Sequence, residues 1–274
     1  MTSESLGASR EESTETALPS PAARRWARRL TWSAAVAFGI VTLALFRGAA
    51  FPFVDAVLLA LLLAVVPLLS LAQVPLARGL EIERMPAYWS SIVTLAVLGA
   101  ACWFVGSRDE GAVALGLVGL PLPTLAAWTV GLCAAGLAII VVFHAVARAL
   151  GVLDTDLLVQ LLPTDNRERG VFALLSLAAG VGEELAYRGY VIPVLAPLLG
   201  LPGAAVLSTA VFGVMHAYQG ALGIARTALM GGVLAWGFIA SGSLWPAILA
   251  HTLIDLIAGI AIGERLLVQP SRAS

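Results

Sequence analysis

Apolar residues in this chain gather into runs close to the ~18-residue length that crosses a bilayer as a helix. Eight such stretches lie at about 30–46, 53–73, 89–106, 124–147, 170–187, 203–219, 221–240 and 244–262. None alternates polar and apolar residues with period two, as the strands of a transmembrane barrel do. The expected fold class is therefore all-α, a polytopic transmembrane helical bundle of about eight spans. Charged residues make up only 12% of the chain, about half the ~25% of a soluble domain, and the mean hydropathy is +0.93. The first partner implied is the membrane lipid bilayer. A net charge of −1 and the lack of a basic patch point to no nucleic acid.

Polar punctuation divides the chain. Residues 1–23 are rich in Ser, Thr and Glu without periodicity, so residues 1–29 are expected as a disordered cytoplasmic N-terminal tail. "RRWARRL" (24–30) leads into the first apolar run; with no convincing A-x-A site after it, an uncleaved span is expected rather than a signal peptide. Residues 30–150 then hold the N-terminal transmembrane helices. The segment 151–169, "GVLDTDLLVQLLPTDNRER", is expected as a cytoplasmic loop, either amphipathic along the surface or plainly solvated. "YVIPVLAPLLG" (190–200) is too short to cross and is expected as a short helix or re-entrant piece between the fifth and sixth spans.

Every basic residue is arginine, which with the Ala, Leu and Gly richness suggests a GC-rich bacterial gene. With the N-terminus inside, Arg10, Arg24, Arg25, Arg28, Arg29, Arg78, Arg84, Arg148, Arg167, Arg169, Arg226, Arg265 and Arg272 fall on the inner side, against Arg47, Arg108 and Arg188 elsewhere. That asymmetry predicts a multi-pass protein of the cell membrane with both termini cytoplasmic. Cys102 and Cys133 stand singly in different runs, as small core residues do.

Ionisable residues inside spans default to functional candidates, because desolvating a charge costs on the order of several kcal/mol unless it is paired. Apart from Asp55 at a span edge, the deep ones are His144, Glu183, Glu184, Arg188, His216, His251 and Asp255, and all but His144 lie in the last third of the chain. Glu184 and Arg188 in "EELAYR" are spaced i,i+4, acid first, the favoured order for a helical ion pair. Glu183 is rotated by about 100° from Glu184 and needs a partner from another helix. In "FGVMH", Phe212 and His216 share one helix face. In "HTLID", His251 and Asp255 do the same, and a carboxylate one turn from an imidazole can set its tautomer. His144, beside Arg148 near the end of its span, reads as a helix–helix hydrogen-bonding residue.

Together the three motifs resemble the CPBP family of intramembrane proteases, which includes the type II CaaX prenyl endopeptidases and the bacterial Abi proteins. The family pattern of EExxxR, FxxxH and HxxxN or HxxxD on successive helices reads here as "EELAYR", "FGVMH" and "HTLID". The resemblance implies a catalytic transmembrane CPBP-like domain over 170–264 and an intramembrane endopeptidase. Glu183 would activate water with the help of His216, His251 and Asp255 would stand at the oxyanion-stabilising positions, and Glu184, Arg188 and Phe212 would support them. The prenyl endopeptidases carry Asn where this chain has Asp255. An ionised Asp cannot donate to an oxyanion, so Asp255 would instead orient His251 or join a metal site. A zinc ion on His216, His251 and Glu183 would be chemically reasonable; the cofactor expectation is thus none or zinc, with glutamate and metalloprotease mechanisms both open. The substrate would be a peptide or protein with a membrane-associated tail. No HExxH motif is present, and Ser208 lacks a GxSxG context.

Two other classes fit the same residues. One is a non-catalytic membrane immunity or scaffold protein, separated from a protease by whether its phenotype survives Glu183→Ala. The other is a proton-coupled transporter, disfavoured by the lack of an internal repeat.

Overall fold

The computed structural model describes residues 19–267. Most of the expected tail, with Arg10, lies outside these residues, as does Arg272. Among the described residues all regular structure is helical. The main elements are α1 (Pro21–Gly48), α2 (Phe53–Ala77), α3 (Arg84–Gly106), α4 (Leu122–Leu150), α5 (Asp156–Gln160), α6 (Asn166–Met215), α7 (Ala217–Ser241) and α8 (Trp245–Ala261). Six of them, α1 to α4 with α6 and α7, are long and apolar enough to cross a membrane; α8 is apolar but shorter.

The difference between these six and the eight expected spans lies in α6 and α8. Helix α6 runs for 50 residues and turns at Gly200, whose φ of 71° and ψ of 157° lie outside helical geometry. A left-handed φ of this kind suits glycine, which has no Cβ to clash. The expected fifth and sixth spans are thus the two arms of α6, residues 166–199 and 201–215.

Segment 190–200 is not a separate piece. It continues the first arm through a π-helical stretch, Leu185–Val191, into Pro193 and Pro197. A proline offers no N–H to the carbonyl four residues back, and for Pro193 that carbonyl is Gly189, inside the π stretch. Helix α2 repeats the device: Pro67 follows the π segment Leu61–Val65. The wider turn absorbs the missing bond without breaking the rod.

Helix starts follow from capping. Ser20 accepts from Ala23 N at 3.1 Å with Pro21 at the first helical position, so α1 begins ahead of the expected boundary at residue 30 and includes the "RRWARR" run. At α6, Asp165 accepts from Glu168 N at 2.8 Å while Glu168 reaches back to Thr164 N at 2.7 Å. The segment 151–165 contains only the one-turn α5, anchored by buried Leu157.

Interhelical bonds sort the connections to two ends. At one, Ile82 N donates to Gln160 Oε1 (2.7 Å), Tyr88 Oη to Leu161 O (2.8 Å) and Thr155 Oγ1 to Tyr218 O (2.7 Å). At the other, Leu244 N donates to Gly116 O (2.7 Å), Ser243 Oγ to Val118 O (2.6 Å) and Tyr190 Oη to Asp55 Oδ1 (2.8 Å). Up-and-down helices produce this alternation, and it puts the N-terminal arginines of α1 at the same end as Arg78, Arg84, Arg148, Arg167 and Arg169.

Helix α1 packs on α2, α3 on the first arm of α6, α7 on the second arm, and α8 on both α6 and α4. The larger core centres on Leu59, Leu62, Tyr187, Val191, Ile192 and Leu244, and the smaller on Leu132, Leu234, Ala247 and Ile254. Cys102 and Cys133 are buried and free, one beside each core. Glycines bring the helices close: a Cβ on Gly182 would sit 2.5 Å from Leu95 O of α3, and one on Gly180 would sit 2.9 Å from Ile248 O of α8. Small residues at such crossings let backbones approach within a membrane. They fix where α8 lies against α6, and hence where His251 meets the two glutamates.

Candidate active site

Glu183 and Glu184 end the regular α-helical part of the first arm of α6, immediately before its π-helical stretch. Single-turn π segments are frequent at functional sites. The two carboxylates point to different neighbours. Glu184 and Arg188 are both 0% exposed, and Arg188 Nη1 donates to Glu184 Oε1 at 2.8 Å. Arg188 Nη2 donates to the Gly231 carbonyl of α7 at 3.0 Å. The guanidinium also lies over the Phe212 ring, 4.3 Å from its centroid. A charge this deep persists only with such partners, since a lone one would carry a desolvation penalty on the order of several kcal/mol. Gly231 is part of the cradle: a Cβ there would stand 2.8 Å from Arg188 Nη2 and 3.0 Å from Phe212 Cδ1.

Glu184 has a second partner that its sequence spacing does not reveal. His251 Nδ1, on α8, lies 2.7 Å from Glu184 Oε1. The carboxylate that fixes the His251 ring is therefore Glu184, not Asp255. Asp255 Oδ2 sits instead 3.7 Å from Nε2, the other ring nitrogen, as does Glu183 Oε2. A gap of 3.7 Å is too long for a hydrogen bond and suits a bridging oxygen. One nitrogen of His251 is thus held by the structure and the other faces two carboxylates. The Asp255 side chain is 34% exposed, against 11% for Glu183, so the cluster opens on the Asp255 side.

His216 ends the second arm of α6. Its Nδ1 lies 2.9 Å from Phe212 O; a carbonyl only accepts, so Nδ1 carries the hydrogen and Nε2 of the neutral ring is an acceptor. Both imidazoles pack on Phe212, His216 at 4.9 Å and His251 at 6.1 Å between ring centroids. Phe212, expected as support, is a hub touched by Arg188, Tyr187 and both histidines.

The structure gathers Glu183, Glu184, Arg188, Phe212, His216, His251 and Asp255 into one cluster. His144 stands apart on α4, lining a small cavity with Asp154, Gln219 and Arg226. Among the described residues, no group of three or more His, Cys, Asp or Glu side chains is arranged to hold a metal ion. The expected zinc set of His216, His251 and Glu183 does not form such a group. Sequence reasoning missed Gly231, whose carbonyl accepts from Arg188, and Tyr218, whose ring lies 6.0 Å from that of His216. The polar run "HAYQG" (216–220) after the apolar arm was the available signal for the second.

The chain matches neither a curated protein nor a solved structure. Residues 167–257, about a third of the chain, are similar to the family described as Type II CAAX prenyl endopeptidase Rce1-like, and every residue of the buried cluster lies inside that segment.

Proposed function

We propose that this protein is an intramembrane endopeptidase that hydrolyses a peptide bond in a membrane-anchored peptide or protein, with Glu183 as the base. The observation that carries the reading is the split between adjacent glutamates. Glu184 is committed to Arg188 and His251, whereas among the described residues Glu183 Oε2 comes no closer to a partner than the 3.7 Å gap to His251 Nε2. A buried acid left available beside the His251 imidazole is what general-base catalysis needs.

In the proposed reaction a water donates one hydrogen to Glu183 and the other to His216 Nε2. Glu183 takes its proton as the oxygen attacks the scissile carbonyl carbon, and the carbonyl oxygen becomes an oxyanion. His251, with Nδ1–H held by Glu184, donates from a protonated Nε2 to that oxyanion. Glu183 then returns its proton to the leaving nitrogen, the C–N bond breaks, and a carboxyl and an amine result. Asp255 borders the opening and aligns the substrate backbone. The arginine-rich end would lie in the cytoplasm, with both termini there.

The test is mass-spectrometric cleavage mapping of detergent-purified protein on a diverse peptide library that includes C-terminally lipidated members. Cleavage by wild type that disappears in Glu183→Ala is expected. Cleavage that survives the substitution would sink the reading.

A further inference from the structure

The cluster as described has one chemical shortfall. Asp255, as a carboxylate, has no hydrogen to give a developing oxyanion, which leaves His251 as the donor on that side. A second donor stands at the mouth. The 3₁₀ turn Ala217–Gln219 follows His216 directly, and the Tyr218 ring lies against His216 with an interplanar angle of 35°. Thr155 of the 151–165 segment fixes this turn by donating to the Tyr218 carbonyl at 2.7 Å. The Tyr218 ring thereby borders the cleft beside His216.

The hydrogen bonds behind the phenol have a definite direction. Arg226 Nη2 lies 2.8 Å from Gln219 Oε1, and Thr227 Oγ1 is 3.5 Å from the same oxygen. A guanidinium can only donate, so the Gln219 amide must turn its oxygen to Arg226 and its nitrogen outward. That nitrogen donates to Tyr218 Oη at 3.0 Å. The phenol oxygen is thereby occupied as an acceptor, and its own hydrogen is left to be given. A donor that itself receives a hydrogen bond is strengthened by it.

We propose that Tyr218 is an oxyanion donor, its hydroxyl aimed by the Arg226–Gln219 chain toward the substrate carbonyl opposite Glu183. The proposal rests on the endopeptidase reading and assigns Tyr218 a part that Asp255 cannot play. Tyr218 then completes a ladder of rings, from Arg188 over Phe212 to His216 and out to the cleft mouth.

The experiment uses the full-length protein in detergent and the library peptide that wild type cleaves fastest. Tyr218→Phe keeps the ring and its stacking while removing the hydroxyl. It should lower kcat by about 10²-fold, the scale of a lost oxyanion-hole donor, with KM within twofold. Gln219→Leu should lower kcat in the same direction by less. Ring-fluorinated tyrosines at position 218 change the acidity of the O–H with almost no change of shape, and kcat should vary in step with that acidity. A purely structural tyrosine would not respond to fluorination.

Glu183-dependent cleavage at wild-type kcat in Tyr218→Phe would overturn the Tyr218 role and leave the endopeptidase reading standing. A rise in KM alone, with no response to fluorination, would overturn the role equally. Cleavage that survives Glu183→Ala, or no cleavage by wild type, would overturn the endopeptidase reading and the Tyr218 role with it.

Discussion

Two buried carboxylate–arginine pairs lie at different depths of this bundle, and their surroundings differ more than their chemistry. Asp55 of α2, 2% exposed, accepts from Arg108 Nη1 at 3.0 Å and from Tyr190 Oη at 2.8 Å. Arg108 sits in the α3–α4 connection, and its side chain is 35% exposed. Glu184 and Arg188 are wholly enclosed, and their third partner is an imidazole whose other nitrogen faces a cleft. In the Asp55 set, the partners join α2, the α3–α4 connection and α6 through Arg108 and Tyr190. The Asp55 set fastens helices, whereas the Glu184 set holds a ring in place for something beyond it. Buried charge alone does not mark an active site; what the last partner leaves free does.

The sharpest way to break this comparison is through stability. Arg188→Met should lower stability by about 3–5 kcal/mol, because Glu184 is left as an unpaired buried charge. Adding Glu184→Gln to it should recover part of that loss. Thermal unfolding in detergent reads both; equal melting of wild type and Arg188→Met would mean that the pair is not the anchor described here. Gly231→Ala comes next, at about 1–3 kcal/mol for overpacking, since its Cβ would press on Arg188 and Phe212. Cleavage should fall with it as the His251 and His216 platform shifts. Asp55→Asn should cost about 1–2 kcal/mol by weakening its bonds to Arg108 and Tyr190, with the value held down by the solvent around Arg108. Its kcat should stay at wild type in the folded fraction, and a large loss of kcat there would erase the distinction between the two regions. Smallest is Arg84→Ala, which removes a 3.9 Å pair to Glu168 near the surface. It should shift stability by less than about 1 kcal/mol.

The sequence carried the helical class because apolar run length is a one-dimensional property, set by the thickness of the hydrocarbon core. It also carried the i,i+4 pairs, because spacing along one helix fixes which side chains share a face. The partner of His251 was not legible for the opposite reason. Asp255 is the near carboxylate along the chain, but Glu184 is the near one in space, brought there by the Gly180 approach of α8 to α6. Contacts across helices depend on crossing geometry that no spacing encodes. Likewise "YVIPVLAPLLG" is too short to cross and reads as a separate piece, yet a π-helical turn lets the rod run on to Gly200. Asp55 was set aside as a span-edge residue; its partners Arg108 and Tyr190 are distant in sequence and meet it only in the folded bundle.

In the proposed mechanism adjacent glutamates have opposite duties, one free to react and one committed to holding. The most direct measurement sets Glu183→Gln beside Glu184→Gln, recording melting temperature and cleavage rate for each in the same detergent. Glu183→Gln is expected to melt like wild type and not to cleave, while Glu184→Gln melts lower. Cleavage at the wild-type rate by Glu183→Gln, or a melting loss in Glu183→Gln larger than in Glu184→Gln, would contradict it.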